Sequence, residues 1–322
     1  MNLNQIHNVF FIGIGGIGMS ALARYFKSIG KKVSGYDKTP TALTDILVEE
    51  GISIHFEDDL NQIDKAATVI VYTPAIPSEH KELNFYRDNG YLVVKRSDVL
   101  QWVTENAFTI GIAGTHGKTT TTSMTAHILR HTGYGCNAFL GGIASNYDTN
   151  FWSHEKNVVV VEADEYDRSF LKLSPNIAVI TAVDPDHLDI YGAAEQVLES
   201  FQLFVDQIKP GGFFIQKAGL TLQGPTGSKT FGIDQGDYQA QNIRIENHRM
   251  VFDMVYPGGR ITDIPMRIPG FHNIENALAA AALAMYHGLT PEDVKGGISS
   301  FKGVKRRFEY HVETAEHVFI DD

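Results

Sequence analysis

Twice in 322 residues the chain runs from a β-branched apolar stretch through a glycine-rich turn straight into a helical pattern. The first passage is "VFFIGIGGIGMSALA" and the second is "FTIGIAGTHGKTTTTS". Strand, glycine loop and helix in that order aim backbone amides of a helix amino terminus at an anion, with no side chain in between. A chain of this length fits two ordinary domains, so each loop can have a domain of its own.

The rest of the pattern agrees. From residue 8, short β-rich runs ("NVFFIG", "KKVSGYD", "TVIVYT", "YLVVK") alternate with helical stretches such as "MSALARYFKSIG", whose Gly30 suits a helix end. Strand alternating with helix implies a parallel sheet. After "SDVLQWVTENA" the alternation restarts with "FTIGIAG", a helix, "NVVVVEAD" and "NIAVITAVD". The expected fold class is therefore α/β. A Rossmann-like parallel-sheet domain over residues 1–105 precedes a P-loop ATPase-like central domain over residues 106–318. Between roughly 211 and 268, short strands with turns such as "YPGGR" read as an antiparallel addition to the second sheet, followed by a helix over 273–287. The closing "EHVFIDD" begins a strand and stops, which reads as the start, at 319–322, of a further domain that the chain lacks.

Charge and composition narrow the partners. The formal net charge of −11 repels nucleic acid and anionic membrane surfaces, so a phosphate site must be built locally. No apolar run reaches the ~20 residues of a membrane span, and "MNLNQIHNVFF" lacks the basic start of a signal peptide. The one cysteine, Cys136, forms no internal disulfide and no cysteine metal cluster, which suits a reducing compartment and makes the cytoplasm the expected location.

In the first loop, Gly13, Gly15 and Gly18 give G-x-G-x-x-G, with Asp37 closing the next strand. That is the pattern of a dinucleotide fold, but its physics asks only for a diphosphate on bare backbone and a hydroxyl or base donating to Asp37. A nicotinamide oxidoreductase and a different nucleotide-diphosphate binder both satisfy it. In the second loop the usual P-loop glycine five residues before Gly117 is replaced by Ile112, and Gly114 stands only three before. The chemistry survives the shortening: Lys118 is a point charge for β- and γ-phosphates and Thr119 a hydroxyl ligand for magnesium. "VVVVEADEYD" brings Glu162, Asp164 and Glu165 to the carboxyl end of a buried strand, where open α/β sheets bind ligands. Of the three, Glu162 is the expected metal ligand, and a solvated acidic loop is the reading for some of these residues. "AVITAVDPDHLDIYG" brings His187 to the same edge. Asn273 and Asn276 of "GFHNIENALAAAALAM" and Arg306 and Arg307 of "KGVKRRFEY" read, taken singly, as caps and as a basic face.

Taken together, "GIGGIGMS", "AGTHGKTTTT", "EADEYD", "DHLDIY", "GFHNIENALAA" and "GVKRRFE" come in the order and spacing of the Mur ligases of peptidoglycan synthesis, and the chain resembles that family over its whole length. The resemblance implies an ATP-dependent ligase. A sugar carboxylate is phosphorylated to an acyl phosphate, which an amino group then attacks. "FIGIGGIGMSALA" is similar to the opening loop of the branch that joins L-alanine to UDP-N-acetylmuramate; the branch that adds a murein tripeptide shares "GTHGKTT" and "EADEYD". By the same resemblance, Gly13, Gly15, Gly16, Ile17 and Gly18, with Asp37 and Thr73, face the UDP-sugar. Gly114, Thr115, His116, Gly117, Lys118, Thr119 and Thr120, with Asn273, Asn276 and Arg307, face ATP. Thr119, Glu162 and His187 hold magnesium, and Lys118, Glu162 and His187 carry the catalysis. Where some members have a carbamylated lysine for a second magnesium, this chain has Gln202. The resemblance also implies that a chain without the third domain binds nucleotide but turns over poorly.

Overall fold

The computed structural model describes residues 3–184, 194–307, 309–313 and 318–321. The chain divides into two compact units, residues 1–106 with 150–153 and residues 107–149 with 154–322. Inclusion of the short segment 150–153 in the first unit has no signal in the sequence pattern.

The first unit is a doubly wound sheet. Its strands β1 (Asn8–Ile12), β2 (Lys32–Tyr36), β3 (Ser53–His55), β4 (Val69–Tyr72) and β5 (Val93–Lys95) lie in the order β3-β2-β1-β4-β5, every neighbouring pair parallel. Helices α1 (Ile17–Ser28), α2 (Ala42–Glu49), α3 (Lys81–Asp88) and α4 (Arg96–Glu105) return the chain. One cluster of its core gathers Phe10, Ile12, Tyr36, Ile70, Leu83 and Tyr86, all buried. The strand order reverses between β1 and β4, so a crevice opens at their carboxyl ends, beside the first glycine loop.

The second unit is built on nine strands of a ten-stranded sheet, whose edge strand Thr149–Trp152 falls mostly in the segment grouped with the first unit. The sheet's strands are β6 (Phe108–Ala113), β7 (Asn137–Ala144), β8 (Thr149–Trp152), β9 (Val158–Glu162), β10 (Ile177–Ile180), β11 (Phe213–Lys217), β12 (Lys229–Ile233), β13 (Tyr238–Glu246), β14 (Arg249–Tyr256) and β15 (Gly259–Met266). They lie in the order β15-β14-β13-β12-β11-β10-β6-β9-β7-β8. The antiparallel addition is smaller than the sequence suggests. β11, β12 and β13 continue the parallel sheet, and in this addition only the β13–β14 and β14–β15 pairings are antiparallel. The turns at 219–227 and 234–237 resemble hairpin turns in composition, but each returns the chain to a parallel partner.

Helix α5 (Lys118–His131) leaves the second glycine loop, α6 (Ala194–Val205) lies between β10 and β11 in the chain, and α7 (Phe271–Tyr286) and α8 (Pro291–Ser300) pack on α5. The apolar run in α7 is explained by this packing: Ala277, Ala279, Ala280, Ala281, Ala282 and Ala284 are all buried, and their small side chains admit close approach of helices and sheet. No helix among the described residues is long and apolar enough to cross a membrane. The segment expected to open a third domain forms β17 (Val318–Asp321), which pairs antiparallel with β16 (Glu309–Glu313).

Candidate active site

The second glycine loop leaves β6 in the middle of the sheet, between β10 and β9. Its turn is closed by Gly117, the N-cap of α5, at φ +81°, a left-handed conformation that costs glycine nothing and other residues about 1 kcal/mol or more. The loop is braced from β10. The Thr181 hydroxyl donates to the Ala113 carbonyl at 3.1 Å and to that of His116, and the Thr115 amide donates to the Ala182 carbonyl at 3.0 Å. The Thr115 hydroxyl accepts from the Asp184 amide at 3.1 Å. His116 is exposed, with Nε2 3.8 Å from an Asp184 oxygen.

Three chemical groups meet at this edge. The Thr119 hydroxyl lies 3.0 Å from both Oε1 and Oε2 of Glu162. Lys118 Nζ donates to the Gly114 carbonyl at 2.6 Å and to Glu165 Oε1 at 2.7 Å. Burial pushes the Glu162 carboxyl above its ordinary range, while the Thr119 hydrogen bond and the nearby Lys118 charge pull the other way. A hydroxyl and a carboxylate side by side are hard oxygen donors, and magnesium takes one or two such ligands and keeps water and phosphate for the rest. The donor set therefore fits magnesium. Among the described residues no group of three or more His, Cys, Asp and Glu forms a metal cluster, and His187, the third expected ligand, lies outside them. Glu165 departs from the solvated reading, since it is only 2% exposed.

A cavity of about 200 Å³ adjoins the loop, lined by Gly117, Thr120, Ile268, His272, Asn273, Asn276, Gly303, Val304 and Arg307. It brings the two asparagines and Arg307 together with the start of α5. The asparagines are not caps, because α7 is capped by the backbone of Gly270. Asn276 Oδ1 accepts from the Thr121 hydroxyl at 3.0 Å, its Nδ2 donates to Asn273 Oδ1 at 3.2 Å, and Asn273 Nδ2 donates to the Pro269 carbonyl at 2.6 Å. His272, which sequence reasoning passed over, lines the same cavity. Gln202 points elsewhere, donating to Asp206 and to the Gln223 carbonyl, each at 2.8 Å.

In the first unit, Gly13, Gly15, Gly16, Ile17 and Gly18 form the turn and the first residues of α1. Asp37 braces this turn: Oδ2 accepts from the Gly15 amide at 2.7 Å and Oδ1 from the Thr39 amide at 3.2 Å. Each oxygen retains a lone pair, so the carboxylate holds the loop and still has acceptor capacity. Thr73 follows β4 and packs its methyl on Gly13, so it stands at the switch point with the loop. Arg96, unforeseen from the sequence, also reaches this place, its Nη1 lying 2.8 Å from where a Cβ on Gly18 would be. The signal was present as a basic pair, Lys95-Arg96, at the carboxyl end of a parallel strand.

Two glycine loops at the carboxyl ends of parallel strands in two sheets, one with a lysine, a magnesium-type oxygen pair and an adjoining cavity, define a nucleotide-dependent enzyme of α/β architecture. Residues 112–284 match the Mur ligase middle domain and residues 8–107 the Mur ligase family catalytic domain, and the chain belongs to this family of ATP-dependent ligases. It is 51% identical to UDP-N-acetylmuramate–L-alanine ligase of Phocaeicola vulgatus, across 100% of this chain and 72% of that protein. The corresponding ligase of Flavobacterium psychrophilum is 50% identical over the same shares. Among solved structures, UDP-N-acetylmuramate-alanine ligase of Thermotoga maritima superposes with a TM-score of 0.85 at 30% identity, covering 98% of this chain and 74% of that one. UDP-N-acetylmuramate:L-alanyl-gamma-D-glutamyl-meso-diaminopimelate ligase of Neisseria meningitides gives 0.84 at 26%, covering 94% and 100%.

Proposed function

We propose that this chain binds ATP with magnesium at the second glycine loop and UDP-N-acetylmuramate at the first, and serves the joining of L-alanine to the sugar's carboxylate in peptidoglycan synthesis. The observation that carries the reading is the convergence of Lys118, Thr119 and Glu162 at the central strand edge, beside the cavity of Asn273, Asn276 and Arg307. The relatives of 46–51% identity bear the L-alanine ligase name, which favours L-alanine over the tripeptide branch.

The residues divide the work by charge. The carboxylate oxygen of the sugar attacks the γ-phosphorus, the bond to ADP breaks, and the acyl phosphate is then attacked by the amine, which loses a proton as phosphate leaves. Negative charge accumulates at each stage, so preorganised positive groups act on the transition state more than on the ground state. Lys118 supplies a fixed ammonium, and the amides at the start of α5 supply dipoles that need no reorganisation. Thr119 and Glu162 would hold magnesium, which when bound neutralises phosphate charge. Asn273 and Asn276 would present amides to adenine and Arg307 its guanidinium to phosphate. In the first unit the turn at Gly13–Gly18 receives the diphosphate, with Arg96 alongside and Thr73 at the uridine side.

Calorimetric titration with UDP-N-acetylmuramate, with NADH as the competing ligand, tests the reading. Saturable binding of the sugar nucleotide and none of NADH is expected. Binding of NADH alone would return the first loop to a nicotinamide oxidoreductase.

A further inference from the structure

Glu165 is one of the acidic residues of "EADEYD" to which metal binding gives no task. The residue is 2% exposed and its carboxylate ends 2.7 Å from Lys118 Nζ, a charged group itself largely buried. An ammonium has three protons to donate. One goes to the Gly114 carbonyl at 2.6 Å and one to Glu165. With two directions fixed, tetrahedral geometry fixes the third. A lysine on a four-carbon stem otherwise gives up rotamer entropy in any bond it makes.

We propose that Glu165 is the positioning residue of Lys118. It holds the ammonium in its working place before nucleotide arrives, so that the remaining N–H meets the β- and γ-phosphates without reordering the side chain. The proposal rests on the nucleotide reading above and deepens it. It explains why a carboxylate is buried where a polyanion is to bind. As a bare charge it would oppose the phosphates, but as a fixed acceptor it converts the flexible lysine into a rigid donor.

Two conservative variants separate geometry from charge. Glu165→Gln keeps the length and an acceptor oxygen while losing the charge; Glu165→Asp keeps the charge and withdraws it by one methylene. The measurement is calorimetric affinity for ATP, ADP and AMP, since only the first two carry phosphates within reach of Lys118. E165Q is expected to keep the preference for ATP over AMP within about twofold, and E165D to lose about tenfold of it, with AMP binding unchanged in both. The opposite order, E165D like the parent and E165Q impaired, would overturn positioning in favour of a counter-charge. Equal loss for all three nucleotides together with a lowered melting temperature would reduce Glu165 to a structural role. A second readout needs no nucleotide: the rate at which an amine-reactive ester labels Lys118, read by peptide mass spectrometry. Slow labelling in the parent and E165Q and faster labelling in E165D is expected, and equal rates in all three would overturn the proposal. A parent chain that binds none of the nucleotides would sink the ATP reading itself, while the labelling rates would still decide whether Glu165 holds the lysine.

Discussion

Gly141 makes no turn. It sits inside β7, and a Cβ added there would collide with the Glu162 carboxylate. Its hydrogen leaves room for the half-buried Glu162 carboxylate, where the Thr119 hydroxyl can reach both oxygens. Gly141→Ala is therefore expected to move Glu162 while leaving the loop and the cavity intact. Affinity for ATP in the presence of magnesium should fall by about tenfold, the scale typical of disturbed support around a metal ligand. Affinity measured with a chelator present should hardly change, and an equal loss under both conditions would disprove the assignment of Glu162. At this scale the sequence was informative where chemistry and strand position coincide, as for Lys118, Thr119 and Glu162. It read Glu165 as solvated and passed over Gly141 and Arg96, because each acts through a neighbour distant in the chain. A strand glycine, a basic pair after a strand and a third acid in a run look ordinary until the partner is known.

At the scale of elements, α5 carries the second glycine loop at one end and is anchored near the other by His127. The imidazole is only 2% exposed, with Nδ1 2.9 Å from the Tyr147 hydroxyl and Nε2 3.0 Å from the Ser300 hydroxyl of α8. Ser300 donates to the Gly296 carbonyl at 2.8 Å, so its oxygen accepts from Nε2–H and Tyr147 donates to Nδ1, which defines a neutral tautomer. Burial lowers the His127 pKa to about 4, with His131 and Arg130 adding repulsion to the charged form. The native ring thus resists a proton that the unfolded chain accepts from about pH 6.5 downward. Stability is present above that value and is lost as pH falls towards 4, by about 2 kcal/mol at pH 5 from this one group. His287, lowered to about 4 by burial and then by Lys156, works in the same direction. Denaturant unfolding at pH 7 and pH 5 is expected to show this drop, and His127→Gln to flatten it whatever its own effect on stability at pH 7. An unchanged slope in that variant would mean that the ring is charged in the folded protein.

The elements themselves were largely legible, since both loops, their strands and their helices follow from local pattern. The pairing of β11 to β13 was not, because composition distinguishes a turn from a strand but not a return to a parallel partner from a hairpin.

For the whole molecule, the net charge of −11 and the presence of one glycine loop in each compact unit lead to the same expectation. On the proposed reading two polyanionic ligands bind a chain whose overall field repels them, so each must draw its affinity from local amides and cations of its own unit. A ligand that binds only the folded form stabilises what it touches, by about 2.7 kcal/mol at a hundredfold excess over its dissociation constant. ATP with magnesium should therefore raise the unfolding temperature of residues 107–149 and 154–322, and UDP-N-acetylmuramate that of residues 1–106. Calorimetry resolves this as two transitions that respond to different ligands, and hydrogen exchange assigns each to its unit. If both ligands shift one common transition by the same amount, the two units unfold as a single cooperative block. If instead ATP protects the turn at Gly13–Gly18 and leaves that at Gly114–Thr120 unprotected, the assignment of the loops to their nucleotides is reversed.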